Sequence, residues 1–210
     1  PEFHADTLIK IAKDESLDSK WRIELLEEAF RVAANAKAAV PFESFKLPKE
    51  EGLSHFILEA SRWKLDRLSL QGESVRMLFP LDTALGRRLL DEMPFPDAPL
   101  PLCDAPLAPG FRGYFNTVTV ALYSAFTQAE LRSGAPLLLA QRALAAATTL
   151  PQLDSIDIML GASSLTPDDQ LGLRAQHTAR MRAMIGNSPA AIQALDKTPR
   201  TAEFKACAVR

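Results

Sequence analysis

SKWRIELLEEAFRVAANAKAAV, residues 19–40, repeats its apolar positions with a helical period. Trp21, Leu25, Ala29, Val32, Ala33 and Ala36 recur at three- and four-residue steps, and Leu26 and Phe30 widen the stripe. That spacing marks an amphipathic helix with one face turned inward. Asp18 or Ser19 supplies a capping oxygen at its start, and Pro41 cannot continue it, having no backbone N–H. Upstream, ADTLIKIAKD (5–14) repeats the pattern on a smaller scale, with Leu8, Ile11 and Ala12 on one side.

Downstream of a loop rich in Pro and Lys (residues 41–52), the period returns at Phe56, Ile57, Ala60 and Trp63, then at Leu65, Leu68, Gly72, Val75 and Phe79. This reads either as one helix or as two with a break near Trp63. Pro80 closes it, and Asp82 or Thr83 opens a helix through Leu85, Leu89 and Leu90 to Met93. In the second half, YFNTVTVALYSAFTQAELRSG (114–134) carries Phe115, Val118, Leu122, Ala125, Phe126 and Ala129 at helical spacing up to a Ser133-Gly134 stop. Pro136 and Pro151 suit first turns. Thr166-Pro167-Asp168-Asp169 sets a capping hydroxyl, a first-turn proline and two acids against the helix dipole. The helix behind it is expected to present Leu171, Ala175, Thr178, Met181 and Ile185. Ser188-Pro189 and Thr198-Pro199 repeat the start signal twice more. No Asn-Gly or Asp-Gly hairpin turn occurs.

The fold class expected is therefore all-α: an irregular antiparallel helical bundle, or a degenerate helical-hairpin array, of about ten helices. A proline-rich segment divides it. Six of the 15 prolines fall within residues 94–109, a density that excludes both helix and central strand. Leu100, Leu102 and Leu107 make it too apolar for a free linker, so an ordered strap lying across helices is expected. The organisation read from the chain is residues 1–93 as a first helical half, 94–112 as the strap and 113–210 as a second half, the whole forming one cooperative domain.

Composition excludes several classes. In 210 residues, 24 Lys and Arg face 26 Asp and Glu, giving a net charge of −2. This is not the electrostatic footprint of a nucleic-acid binder. The longest uncharged run, residues 113–129, is too short and too rich in Thr, Asn, Ser and Gln for a membrane span. Cys103 and Cys207 form no Cys-x-x-Cys pair and are read as free thiols. The chain begins Pro1-Glu2-Phe3, which has the look of a cloning scar. Localisation stays open between cytoplasmic and exported.

No strong catalytic constellation emerges. His55 and Glu59 share a helix face, but only three histidines exist to complete a metal site. Asp154 and Asp157 lie one turn apart, and Asp168 and Asp169 serve the helix dipole. Arg174, His177 and Arg180 are assigned to a wet helix face. The sequence holds no His-Glu-x-x-His, Gly-x-Ser-x-Gly, Walker-type loop or dinucleotide fingerprint. No cofactor and no metal are expected.

LDSKWRIELLEEAFRVAANAK (17–37), followed by LSLQGESVRMLFPLDTALGRRLLDEMPFPDAPLPLCDAPL (68–107), resembles a group of uncharacterised bacterial proteins. They share the ELLEEAFRVA-type helix, a Leu-Gln helix before a Pro-Leu-Asp turn, and the proline-rich segment. The resemblance implies a helical protein, exported if a signal peptide has been removed, and carries no activity. The expectation for function is a non-catalytic helical scaffold that binds a protein or peptide partner, with Phe95, Pro96, Pro99, Leu100 and Leu102 as contact residues. The alternative is an enzyme or small-ligand binder with a pocket between helices.

Overall fold

The computed structural model describes residues 1–36, 64–96 and 111–186. Among these, nine α-helices and one short 3-10 helix occur, and no strand. They are α1 (Glu2–Ala12), α2 (Ser19–Ala33), α3 (Arg67–Leu78), α4 (Thr83–Glu92), α5 (Phe111–Ser124), α6 (Gln128–Arg132), α7 (Ala135–Ala146), α8 (Leu150–Ile156) and α9 (Pro167–Gly186). The 3-10 helix, Asp157–Gly161, follows α8 directly. The all-α expectation holds.

Caps set most of the starts. The Asp18 carboxylate accepts from Lys20 N (2.9 Å), Asp66 from Ser69 N (3.0 Å) and Asp82 from Leu85 N (2.9 Å). Each satisfies one of the orphan donors of a first turn. The Thr166 hydroxyl accepts from Asp169 N (3.2 Å) and donates to the Asp169 carboxylate (2.7 Å), as the Thr-Pro-Asp-Asp signal suggests. The question left open around Trp63 narrows: α3 starts afresh at Arg67, because Lys64 takes a left-handed φ of 46° and Asp66 is an extended cap. Residues 53–63, and with them His55 and Glu59, lie outside the described residues.

Two expected faces shift, and one expected helix divides. On α2 the buried side chains are Leu26, Ala29, Phe30 and Ala33, while Trp21 remains 62% exposed. On α1 they are Ala5, Ile9 and Ala12, and Ile11 is turned out. Both helices form a hairpin that also packs on α3, so the inward direction is set by α3 rather than by the widest apolar arc. The segment expected as one helix from Tyr114 to Gly134 breaks after Ser124. Thr127 caps α6 there, donating to the Glu130 carboxylate (2.8 Å) and accepting from Glu130 N (3.3 Å). This capping box restarts the helix in a new direction.

The core is built around α3 and α5. Helix α3 packs on α1, α2, α4 and α5; α5 packs on α3, α4, α7, α8 and the 3-10 helix. Leu26, Leu78, Leu89, Phe115, Leu122, Leu144, Leu153 and Leu173 belong to one contiguous apolar cluster, which thus draws on residues before and after the proline-rich segment. Each fully buried leucine contributes about 1.5–3 kcal/mol.

Two glycines let α3 and α5 approach closely. A Cβ on Gly72 would lie 2.8 Å from Gly113 O, and one on Gly113 would lie 2.8 Å from both Leu68 O and Ser69 Cα. Polar groups at the crossing are satisfied. The Thr117 hydroxyl donates toward Gly113 O (2.7 Å) and Gly72 O (3.2 Å) and accepts from Arg76 Nη1 (2.8 Å). Burial pushes the Arg76 guanidinium below its ordinary pKa, opposed by Glu73. Nearby, the buried Gln71 amide donates to Phe30 O (3.4 Å) and accepts from Arg67 Nε (3.2 Å). Hydrogen-bonded polar groups of this kind keep two helices in one register.

Candidate functional site

On the outer side of this core, α4, α5 and α7 enclose a shallow groove. Arg87, Leu90 and Asp91 line it from α4, Ala121 from α5, Phe126 from the α5–α6 turn, and Ala135, Leu138, Leu139 and Arg142 from α7. The spacings 87–90–91 and 135–138–139–142 each put residues on one helical face. Its volume is about 120 Å³. Sites for metabolites or cofactors typically measure about 300–1,000 Å³. At that size the groove has room for a side chain or two.

The polar rim is tied down on one side. The Arg87 guanidinium lies 4.6 Å above the centroid of the Phe126 ring and is ion-paired with Glu130. A cation held over an aromatic face is attracted by the ring quadrupole. Glu130 also accepts from Thr127 N (2.9 Å). Hydrogen bonds from Thr127 N, the Arg87 side chain and the Thr127 hydroxyl, in that order, hold the Glu130 carboxyl down at about 2. Across the groove, Arg142 pairs with Asp91 at 3.1 Å, both side chains more than half exposed. A pair so exposed contributes roughly 0–1 kcal/mol and parts readily for a partner. Leu138 between them is 61% exposed.

Phe95, expected as a contact residue, lies four residues beyond Asp91, just past the end of α4. It is 49% exposed, and its ring meets Tyr114 edge-on at 5.7 Å, with Tyr114 in turn edge-on to Phe115 at 5.4 Å. Burial pushes the Tyr114 phenol up to about 12, with Arg142 opposing and Asp91 adding to the effect. Pro96 is buried; its carbonyl accepts from Gln152 Nε2 (2.7 Å). The amide oxygen of the fully buried Gln152 side chain accepts from Thr148 N (2.8 Å) and Thr149 N (3.1 Å). The start of the proline-rich segment is thereby fastened to the α7–α8 corner. Pro99, Leu100 and Leu102 lie outside the described residues.

Sequence reading did not find Arg87, Phe126, Leu138 or Arg142. Two signals were available. Leu137-Leu138-Leu139 cannot all face inward on a helix that turns about 100° per residue. Thr127-x-x-Glu130 marks a helix start, and with it the turn that presents Phe126.

The remaining candidates separate. Asp154 and Asp157 are both exposed, and Asp169 is engaged in the α9 cap. Among the described residues, no group of three or more His, Cys, Asp and Glu side chains is placed to hold a metal. No helix among them is long and apolar enough to cross a membrane. His177 and Arg180 are not simply a wet face. His177 Nε2 lies 2.9 Å from Leu153 O, and Arg180 donates to Leu144 O (2.6 Å), Ala145 O (3.3 Å) and Ala147 O (3.2 Å). No family model matches this sequence, and neither a curated protein nor a solved structure matches it.

Proposed function

We propose that the protein is a non-catalytic helical scaffold that docks a protein or peptide partner on the α4–α5–α7 groove and the adjoining Phe95. The observation that carries this reading is the groove's form. It is apolar at its centre through Leu90, Leu138 and Leu139, bordered by the Arg87–Phe126 stack and the loose Arg142–Asp91 pair, and only about 120 Å³ in volume. Aromatic and arginine side chains around a small apolar recess are the composition favoured at the centres of protein interfaces. A partner would insert one apolar side chain beside Leu138 and displace Asp91 from Arg142 with a carboxylate or carbonyl of its own. The strap residues Pro99, Leu100 and Leu102 would add to the contact if they lie along the same side.

The test is a paired binding measurement. A partner identified by cross-linking is titrated against the wild type and against a Phe95→Asp/Leu138→Asp double variant, with circular dichroism melts confirming that both are folded. The replaced side chains are 49% (Phe95) and 61% (Leu138) exposed, so the fold is expected to survive. The reading requires loss of binding by about tenfold or more, as for an interface hot spot. Equal affinity for the two proteins refutes it, as does saturable binding of a small metabolite that Leu138→Asp leaves unchanged.

A further inference from the structure

The longest helix among the described residues, α9, is weakly anchored for its length. Helix α5 buries seven of its fourteen residues, whereas of the described side chains of the twenty-residue α9 only Leu173 is fully buried. Met181 and Met184 pack on the core in part. Of the five residues on the stripe expected from sequence, Leu171 is 70% exposed and Ala175 and Thr178 are exposed too, while Met181 and Ile185 are partly buried. The seated face runs through Gln170, Leu173, His177, Arg180, Met181 and Met184, rotated about a third of a turn from that stripe.

What holds this face is mostly polar. Gln170 Nε2 donates to Ala162 O (3.1 Å), His177 Nε2 meets Leu153 O, and Arg180 spans the last carbonyls of α7. Every one of these acceptors is a backbone carbonyl, and those of Leu144, Ala145 and Ala147 are the orphan groups of a helix C-terminus. Each such bond contributes a modest net amount, larger for the charged Arg180 guanidinium than for a neutral amide, and its carbonyl takes water when the helix leaves. Removing α9 therefore leaves no stranded charge, strands no buried carboxylate and withdraws one fully buried leucine. Regions with few buried apolar contacts open at lower free energy than the core they cover.

We propose that α9 is a lid: it opens as a unit about the 162–166 connection while the α3–α5 core stays closed. Opening uncovers the faces of α7, α8 and the 3-10 helix on which α9 packs. Arg180 and His177 are its latches, and the outward Leu171–Ala175–Thr178 face plays no part in closure.

Native-state hydrogen exchange on the full chain tests this. The amides of α9 are expected to be protected, yet to exchange at least a hundredfold faster than those of α3 and α5. Arg180→Ala is expected to speed α9 exchange by about tenfold or more, the worth of a charge-assisted hydrogen bond, while α3 and α5 rates change less than twofold. His177→Ala removes a different latch and should act in the same direction, which keeps the test alive if Arg180→Ala fails to fold. Leu171→Ala is expected to change nothing. The proposal is overturned if α9 and α5 exchange at the same rate, if either latch variant speeds both alike, or if α9 shows no protection at all.

Discussion

Replacing Gly113 by alanine adds one methyl group, and the α3–α5 crossing determines what that methyl meets. Its nearest neighbours would be Leu68 O and Ser69 Cα at 2.8 Å and Leu68 C at 3.0 Å. All three are backbone atoms of α3, so no side chain can swing aside and the helices themselves must separate. Over-filling a close contact of this kind costs about 1–3 kcal/mol, and rigid backbone on the far side puts this site near the top of that range. Alanine recovers about 1 kcal/mol through its better helix propensity. The net expectation is a loss of about 2 kcal/mol, which in a chain of this size lowers the melting midpoint by about 4–8 °C. Gly172→Ala is the matched control, since a Cβ there meets nothing within 4 Å. It should leave the midpoint unchanged or raise it slightly. Thermal melts followed at the helical circular dichroism band make the comparison. If Gly113→Ala melts with or above the wild type, α3 and α5 do not approach as described and the geometry of the core is wrong.

Two further outcomes follow from the polar contacts. Gln152→Leu removes the amide that joins Pro96 O to Thr148 N and Thr149 N, and urea titration should show a loss of about 1–3 kcal/mol, the cost of stranding a buried partner. Glu130 has its pKa depressed from 4.5 to about 2 in the folded state, so its contribution is fully present above about 4.5 and is lost as pH falls through about 2. The stability gap between the wild type and Glu130→Gln should therefore be constant at neutral pH and close progressively over that interval; a gap independent of pH down to the lower limit would show that the Thr127 and Arg87 contacts do not stabilise the charged form.

Helix existence was legible in the sequence because it rests on local signals. Asp82, Thr166-Pro167 and Gly134 acted where they stood, through hydrogen bonds or φ values that do not depend on distant residues. Helix orientation was less legible. Trp21 and Leu171 lie on apolar stripes in the sequence, yet both are exposed, because the inward direction is set by which neighbour a helix meets. The α3–α5 glycines carried no visible mark of their role, since a close approach belongs to two segments about 40 residues apart. The groove was invisible for the same reason: Arg87 and Phe126 come together only once the Thr127–Glu130 box has turned the chain.

The groove exists only if α4, from before the proline-rich segment, and α5 and α7, from after it, share one core. Cutting the chain between them tests that most directly. A site-specific protease sequence inserted between Asp104 and Ala105 allows cleavage of the folded protein, followed by gel filtration and a melt of the product. The account predicts that the two fragments stay together, elute as the uncut protein does and lose helicity in a single transition. Two fragments that separate under native conditions, each folded and melting at its own midpoint, would contradict it.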